Sequence, residues 1–170
     1  MNNNMPKYRW HQIPGYFFSN PGRRRIKKSV IYRLRSLIIP LAVMYRRYML
    51  RRVIIIAVIG SHGKTTTTRA IAVALGLPAK MQWASSYFFL APILLGIPPW
   101  AHFRVLEVGV ERKGQMAKNA ILVQPDIVVV TGIGSDHITS MGNLDTTREE
   151  KAMMIRPLPE AGHVFLNGRA

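Results

Sequence analysis

The segment Gly60-Ser61-His62-Gly63-Lys64-Thr65-Thr66 brings two glycines, a lysine and a run of hydroxyls together within seven residues. Those types in that order suit a nucleoside triphosphate. Glycines let backbone N–H groups come close to phosphate oxygens, Lys64 can reach the β/γ oxygens, and the Thr65 hydroxyl can ligate Mg²⁺. The chemistry also needs a place: the point where a strand ends and a helix begins, because free N–H groups and the helix dipole both favour an anion there. Both flanks meet that need. Val53–Ile59 is an Ile/Val-rich run that stops at Gly60, the pattern of a strand buried on both faces of a parallel sheet. A helix is expected from about Thr66 to Leu75, closed by Gly76 and Pro78. The spacing departs from G-x-x-x-x-G-K-[ST], whose first glycine would fall at Val58.

Further elements must hold this loop. Arg104–Val108 and Ile127–Thr131 read as two more short strands, with a helix at Gly114–Val123 between them. Thr146 with Glu149 three residues on has the form of a capping box and predicts a helix through about Ile155; His163–Leu166 reads as a fourth strand. Ala79–His102, apolar and broken by Pro92, Pro98 and Pro99, carries no period that assigns it. Strands alternating with helices give an α/β fold, a P-loop-like and mostly parallel sheet flanked by helices.

Of the 24 Lys/Arg residues, 13 fall in residues 1–52 together with none of the 8 Asp/Glu, so the formal charge of +16 belongs mainly to an N-terminal arm. Residues 53–170 are nearly balanced. Within the arm, Val30, Leu34, Leu37, Ile38, Leu41, Tyr45, Tyr48 and Met49 recur at helical spacing, Arg33, Arg46, Arg47, Arg51 and Arg52 add charge, and Pro40 should kink or divide the helix. Three readings stay open: a helix packed on the domain with its arginines in water, an amphipathic segment on an anionic membrane face, or a nucleic-acid contact, which is the least expected. Leu37–Met44 is about eight residues, far below the ~20 needed to cross a bilayer. No secretory-signal pattern is present, and a cytoplasmic protein is expected, with peripheral contact at the inner membrane face as an option. The absence of cysteine excludes disulfides, thiolate metal sites and cysteine nucleophiles.

The loop G-S-H-G-K-T-T resembles the nucleotide loop of the Mur ligases, the enzymes that add amino acids to the peptidoglycan precursor. Other segments agree in order and spacing. They are Val105-Leu106-Glu107-Val108-Gly109 with Gly114, then Pro125-Asp126-Ile127-Val128-Val129-Val130-Thr131 leading to His137 and Gly142, then Lys151 fourteen residues beyond the histidine, and Val164–Asn167. The resemblance covers about Val53 to Ala170 and leans toward the branch that attaches D-alanyl-D-alanine. It implies ATP and Mg²⁺ as cofactors, and carboxylate and amine substrates joined through an acyl phosphate. It also implies a site in which Gly60, Ser61, His62, Gly63, Lys64, Thr65 and Thr66 hold the nucleotide. Glu107, at a strand end and of a type that suits a hard cation, would hold Mg²⁺ with Thr65. His137 would help place a second Mg²⁺, and Lys151, carbamylated in many members, would support the metal site as an anion. Lys64, Glu107, His137 and Lys151 are thus the expected catalytic set.

The sequence departs from the family pattern at Gly132, where Asn is usual, at Ala84-Ser85-Ser86, where an Asn-containing stretch is usual, and at Met153, where an acid is common. Residues 1–52 are too short and basic for a UDP-sugar domain, and no C-terminal amine-binding domain follows; the chain reads as a central ATP-binding domain truncated at its C-terminus, inactive by itself. Two other readings are kept: a non-catalytic P-loop protein docking through its arm on anionic membrane or nucleic acid, and a remnant that binds no nucleotide.

Overall fold

The computed structural model describes residues 33–78, 87–110, 112–134 and 143–168. In chain order these form α1 (Arg35–Tyr48), β1 (Ile54–Ile59), α2 (Lys64–Ala74), α3 (Tyr87–Leu95), β2 (Phe103–Glu107), α4 (Gln115–Val123), β3 (Ile127–Val130), α5 (Leu144–Ala152) and β4 (His163–Leu166). The chain divides at Leu37/Ile38, within α1, and the packing that follows belongs to the unit Ile38–Ala170.

The sheet has the order β2-β1-β3-β4, and each neighbouring pair is parallel. The run at 54–59 behaves as its composition requires. Alternate side chains point to opposite faces of a strand, so Ile55, Ala57 and Ile59 enter one core and Ile56 and Val58 another. The first core is the larger, filled by Ala42 and Leu50 from α1 and its exit, Leu90, Ala91 and Leu94 of α3, Met116 and Ala120 of α4, and Met154 just past α5. The second is closed by α2 through Ala72, with Ile71 and Leu75 beside it.

The chain leaves β1 toward β2 and leaves β3 toward β4. The crevice between β1 and β3 is therefore the switch point, the place where open parallel sheets hold ligands at the carboxyl ends of their strands. The loop at 60–66 and the turn at 131–134 meet there: Ser61 N donates to Gly132 O at 2.8 Å, and the Thr131 hydroxyl donates to His62 O.

Several expectations need correction. α2 starts at Lys64, two residues before Thr66, because Gly63 at φ 76° turns the chain straight into the helix. α5 is capped by Asn143 and not by Thr146: the Asn143 side-chain Oδ1 accepts from Thr146 N at 2.7 Å, so Thr146 is an amide donor inside the first turn, and the helix ends at Ala152 rather than near Ile155. Pro40 does not divide α1, which runs through it to Tyr48. Nor are all the arginines of this helix in water. Arg46 is buried, and its guanidinium donates to the carbonyls of Leu50, Val123 and Gln124 and pairs with Asp126 at 2.8 Å. Burial depresses the Arg46 pKa, and the Asp126 charge opposes that shift. The unassigned stretch contains α3, whose uniform apolar character fits its place in the large core.

Candidate functional site

The loop is assembled from both sides of the switch point. Gly60 takes φ 146°, and a Cβ there would sit 2.1 Å from Thr131 Oγ1 and 3.0 Å from Gly132 O, so the close approach of the two loops requires glycine. Gly63, left-handed at φ 76°, begins α2 with no side-chain cap. The first turn of α2 therefore faces the crevice with its N-terminal amides and the positive end of its dipole, the arrangement that binds phosphate. The Lys64 amine folds back along the loop, donating to Gly60 O at 2.9 Å and Ser61 O at 2.8 Å. These are bonds within its own loop, and a phosphate oxygen is a stronger, charged partner for an ammonium.

Glu107 ends β2 next to β1 and is buried, and its carboxylate accepts from the Thr65 hydroxyl at 2.8 Å. A hydroxyl and a carboxylate side by side at the mouth of a phosphate loop are hard oxygen donors of the kind Mg²⁺ selects. The glycine cradle, the uncapped helix start and this oxygen pair together fit a Mg²⁺-bound nucleotide.

Ser61 is the hinge of the arrangement. Its hydroxyl accepts from Gly134 N at 2.8 Å and from Lys151 Nζ at 2.6 Å, and donates to Gly134 O at 3.1 Å, which uses all its capacity. Lys151 lies 90 positions along the chain, on α5, and is only 5% exposed. Lys151 is thus not a solvated helix lysine; its amine reaches the Ser61 hydroxyl of the loop. His62 is exposed over the crevice, and Thr66 is exposed on the first turn of α2. His137 and Gly142 lie outside the described residues, as does Ala84-Ser85-Ser86. Asn167, just past β4, donates to Thr131 O at 3.0 Å and so closes the turn that faces Gly60.

Sequence reasoning missed Glu150. Its carboxylate is buried and accepts from Gly114 N at 2.9 Å and Met116 N at 2.7 Å, capping α4 and fastening α5 to it. Glu150 precedes Lys151 on α5, so neighbouring residues of one helix reach α4 and the loop. No local pattern announces it, since the partners are more than thirty residues away.

Fold and loop together define a class: an α/β domain with a phosphate loop at the switch point of a parallel sheet. The Mur ligase middle domain family matches residues 58–170, and the chain belongs to that family. Among curated relatives, it is 33% identical over 118 residues to the UDP-N-acetylmuramoyl-tripeptide–D-alanyl-D-alanine ligase of Bacillus subtilis, covering 67% of this chain and 26% of the relative. To the enzyme of the same name from Escherichia coli it is 25% identical over 117 residues, covering 66% and 26%. The chain thus spans about a quarter of the length of these relatives. Among solved structures, MurF from Acinetobacter baumannii aligns with TM-score 0.67 at 22% identity, over 78% of this chain and 30% of that one. MurF from Thermotoga maritima, solved in complex with ADP, aligns with TM-score 0.62 at 24% identity, over 77% and 31%. At these identities the structural likeness shows the fold.

Proposed function

We propose that the chain is the nucleotide-binding part of an ATP-dependent carboxylate–amine ligase of peptidoglycan precursor synthesis, of the branch that attaches D-alanyl-D-alanine. Residues 53–170 form its nucleotide domain, preceded by a basic segment at 1–52. The reaction of the whole enzyme is phosphoryl transfer from ATP to a substrate carboxylate, releasing ADP, followed by attack of an amine on the acyl phosphate to give the amide and phosphate. Such a cycle belongs in the cytoplasm, where ATP is supplied.

Each residue's part follows from its place. The amides of Gly60–Thr66 and the Lys64 ammonium neutralise the β- and γ-phosphates, with Lys64 exchanging the carbonyls of Gly60 and Ser61 for phosphate oxygens. Thr65 and Glu107 would hold Mg²⁺, and His137 would serve a second ion. Lys151 and Ser61 brace the loop from behind, so that its amides stay aimed at the crevice. Mg²⁺, when bound, offsets the charge that develops on the transferring phosphoryl group.

The observation that carries this reading is the Thr65–Glu107 pair beside an uncapped, glycine-started helix at the switch point. Calorimetric titration with Mg-ATP tests it. The native chain should bind, and Lys64→Ala should weaken binding about tenfold or more, the loss expected for a hydrogen bond to a charged group. Equal affinity in the two proteins would remove the loop from the mechanism.

A further inference from the structure

A second surface lies at the opposite end of the strands. β1 and β2 begin side by side, Ile54 N donating to His102 O at 2.9 Å, and the exit of α1 and the turn at 98–102 meet beside them. The Tyr45 hydroxyl donates to Ile97 O at 2.8 Å and ties the helix to that turn. With Ala42 and Arg46 buried inward, Leu41, Met44 and Tyr48 fall at i, i+3 and i+7 on the outer face of α1, each more than half exposed, and Met49 follows them. Trp100 is 81% exposed and shares a depression with Arg52, Pro99 and His102. Arg51 and Arg52 are exposed, and the Arg47 guanidinium lies 5.9 Å over the Tyr48 ring.

An outer helix face normally carries polar residues. This one carries Leu, Met and Tyr, with an exposed tryptophan nearby and arginines around it. Exposed apolar patches of this kind mark interaction sites, and Trp, Tyr and Leu edged by Arg is the composition of a surface that lies in a lipid headgroup region. Charge complementarity selects the partner: residues 1–52 hold 13 Lys/Arg and no acid. A nucleic acid would meet the arginines but leave Leu41, Met44 and Met49 in water. The family match begins at residue 58, after the end of α1. Among the described residues no helix is long and apolar enough to cross a membrane.

We propose that Leu41, Met44, Tyr48, Met49 and Trp100, with Arg47, Arg51 and Arg52, form a docking face for an anionic phospholipid bilayer, on which the protein lies without crossing it. The phosphate loop, at the other end of the strands, stays accessible from the aqueous side.

Co-sedimentation of the 170-residue chain with vesicles of pure phosphatidylglycerol or pure phosphatidylcholine tests this. The native chain should partition onto phosphatidylglycerol and not onto phosphatidylcholine. Replacing Arg51 and Arg52 by Gln should weaken partition roughly tenfold or more, as expected for two cations near an anionic surface. The triple variant Leu41→Ser, Met44→Ser, Trp100→Ser should weaken it by about the same factor through loss of apolar insertion. These side chains are exposed, so both variants should fold and keep the nucleotide affinity of the native chain, which separates this test from that of the loop. Unchanged binding of the triple variant to phosphatidylglycerol would overturn the proposal. So would preferential binding of duplex DNA, or a dimer of the native chain that the triple variant abolishes, since each assigns the face to another occupant.

Discussion

Helices α2 and α4 begin in the same way and end up with different partners. Each follows a left-handed glycine, Gly63 at φ 76° and Gly114 at φ 81°, and neither glycine offers a side-chain cap. At α4 the chain supplies the anion itself: the buried Glu150 carboxylate takes the amides of Gly114 and Met116. At α2 the residues around Gly63 face solvent, the Lys64 ammonium is held on its own loop's carbonyls, and the Glu107 carboxylate takes the Thr65 hydroxyl. Glycine-started helix ends attract an anion in both cases. Where the anion is part of the protein the end is architecture; where it is left to come from solution, at the switch point of the sheet, the end is a site.

The comparison can be broken at either end. Gly60→Ala should have the largest effect, because its Cβ would meet Thr131 Oγ1 and the Gly132 carbonyl and because alanine disfavours φ 146°. About 2–4 kcal/mol of stability should be lost in urea unfolding, and nucleotide binding should fall with it as the two loops are driven apart. Glu150→Ala comes next. It leaves the amides of Gly114 and the buried Met116 without their acceptor, and thermal or urea unfolding should show a loss of about 2 kcal/mol, while Glu150→Gln, which keeps one acceptor oxygen, should lose less. Nucleotide affinity should change little if Glu150 is architectural, and a large loss at full folding would show that it also sets Lys151 against Ser61. The smallest effect sharpens the point. Sulfate, compared with chloride at equal ionic strength, should restore roughly 0.5 kcal/mol to Glu150→Ala by occupying the vacated helix end, with no such gain in a Glu150→Gln control.

The parts legible in the sequence were those carried by local pattern. The Ile/Val run at 54–59, the glycine-lysine-threonine loop after it and the strand at His163–Leu166 announce themselves within a few residues, and the alternation of strands and helices implied the parallel sheet. Glu107 was legible as a strand-end carboxylate, and its partner Thr65 followed from the loop. What stayed hidden depends on contacts between distant residues. Arg46 looks like the other arginines of α1, and only the carbonyls at 123 and 124 and the carboxylate of Asp126 make it a buried fastener. Lys151 on Ser61 and Glu150 on α4 are of the same kind. The cap of α5 was misplaced because Asn143 and Thr146 both suit an N-cap, and the choice between them rests on where the preceding chain turns. α3 escaped because an evenly apolar segment has no period to read.

A crystal structure of the chain with a non-hydrolysable ATP analogue and Mn²⁺ in place of Mg²⁺ tests the central claim most directly. The triphosphate should lie over Gly60–Thr66 with the Lys64 amine moved from the carbonyls of Gly60 and Ser61 onto phosphate oxygens, and an anomalous peak should mark the metal beside Thr65 and Glu107. A triphosphate bound elsewhere, or a loop left empty with Lys64 still on its own carbonyls, would contradict the account.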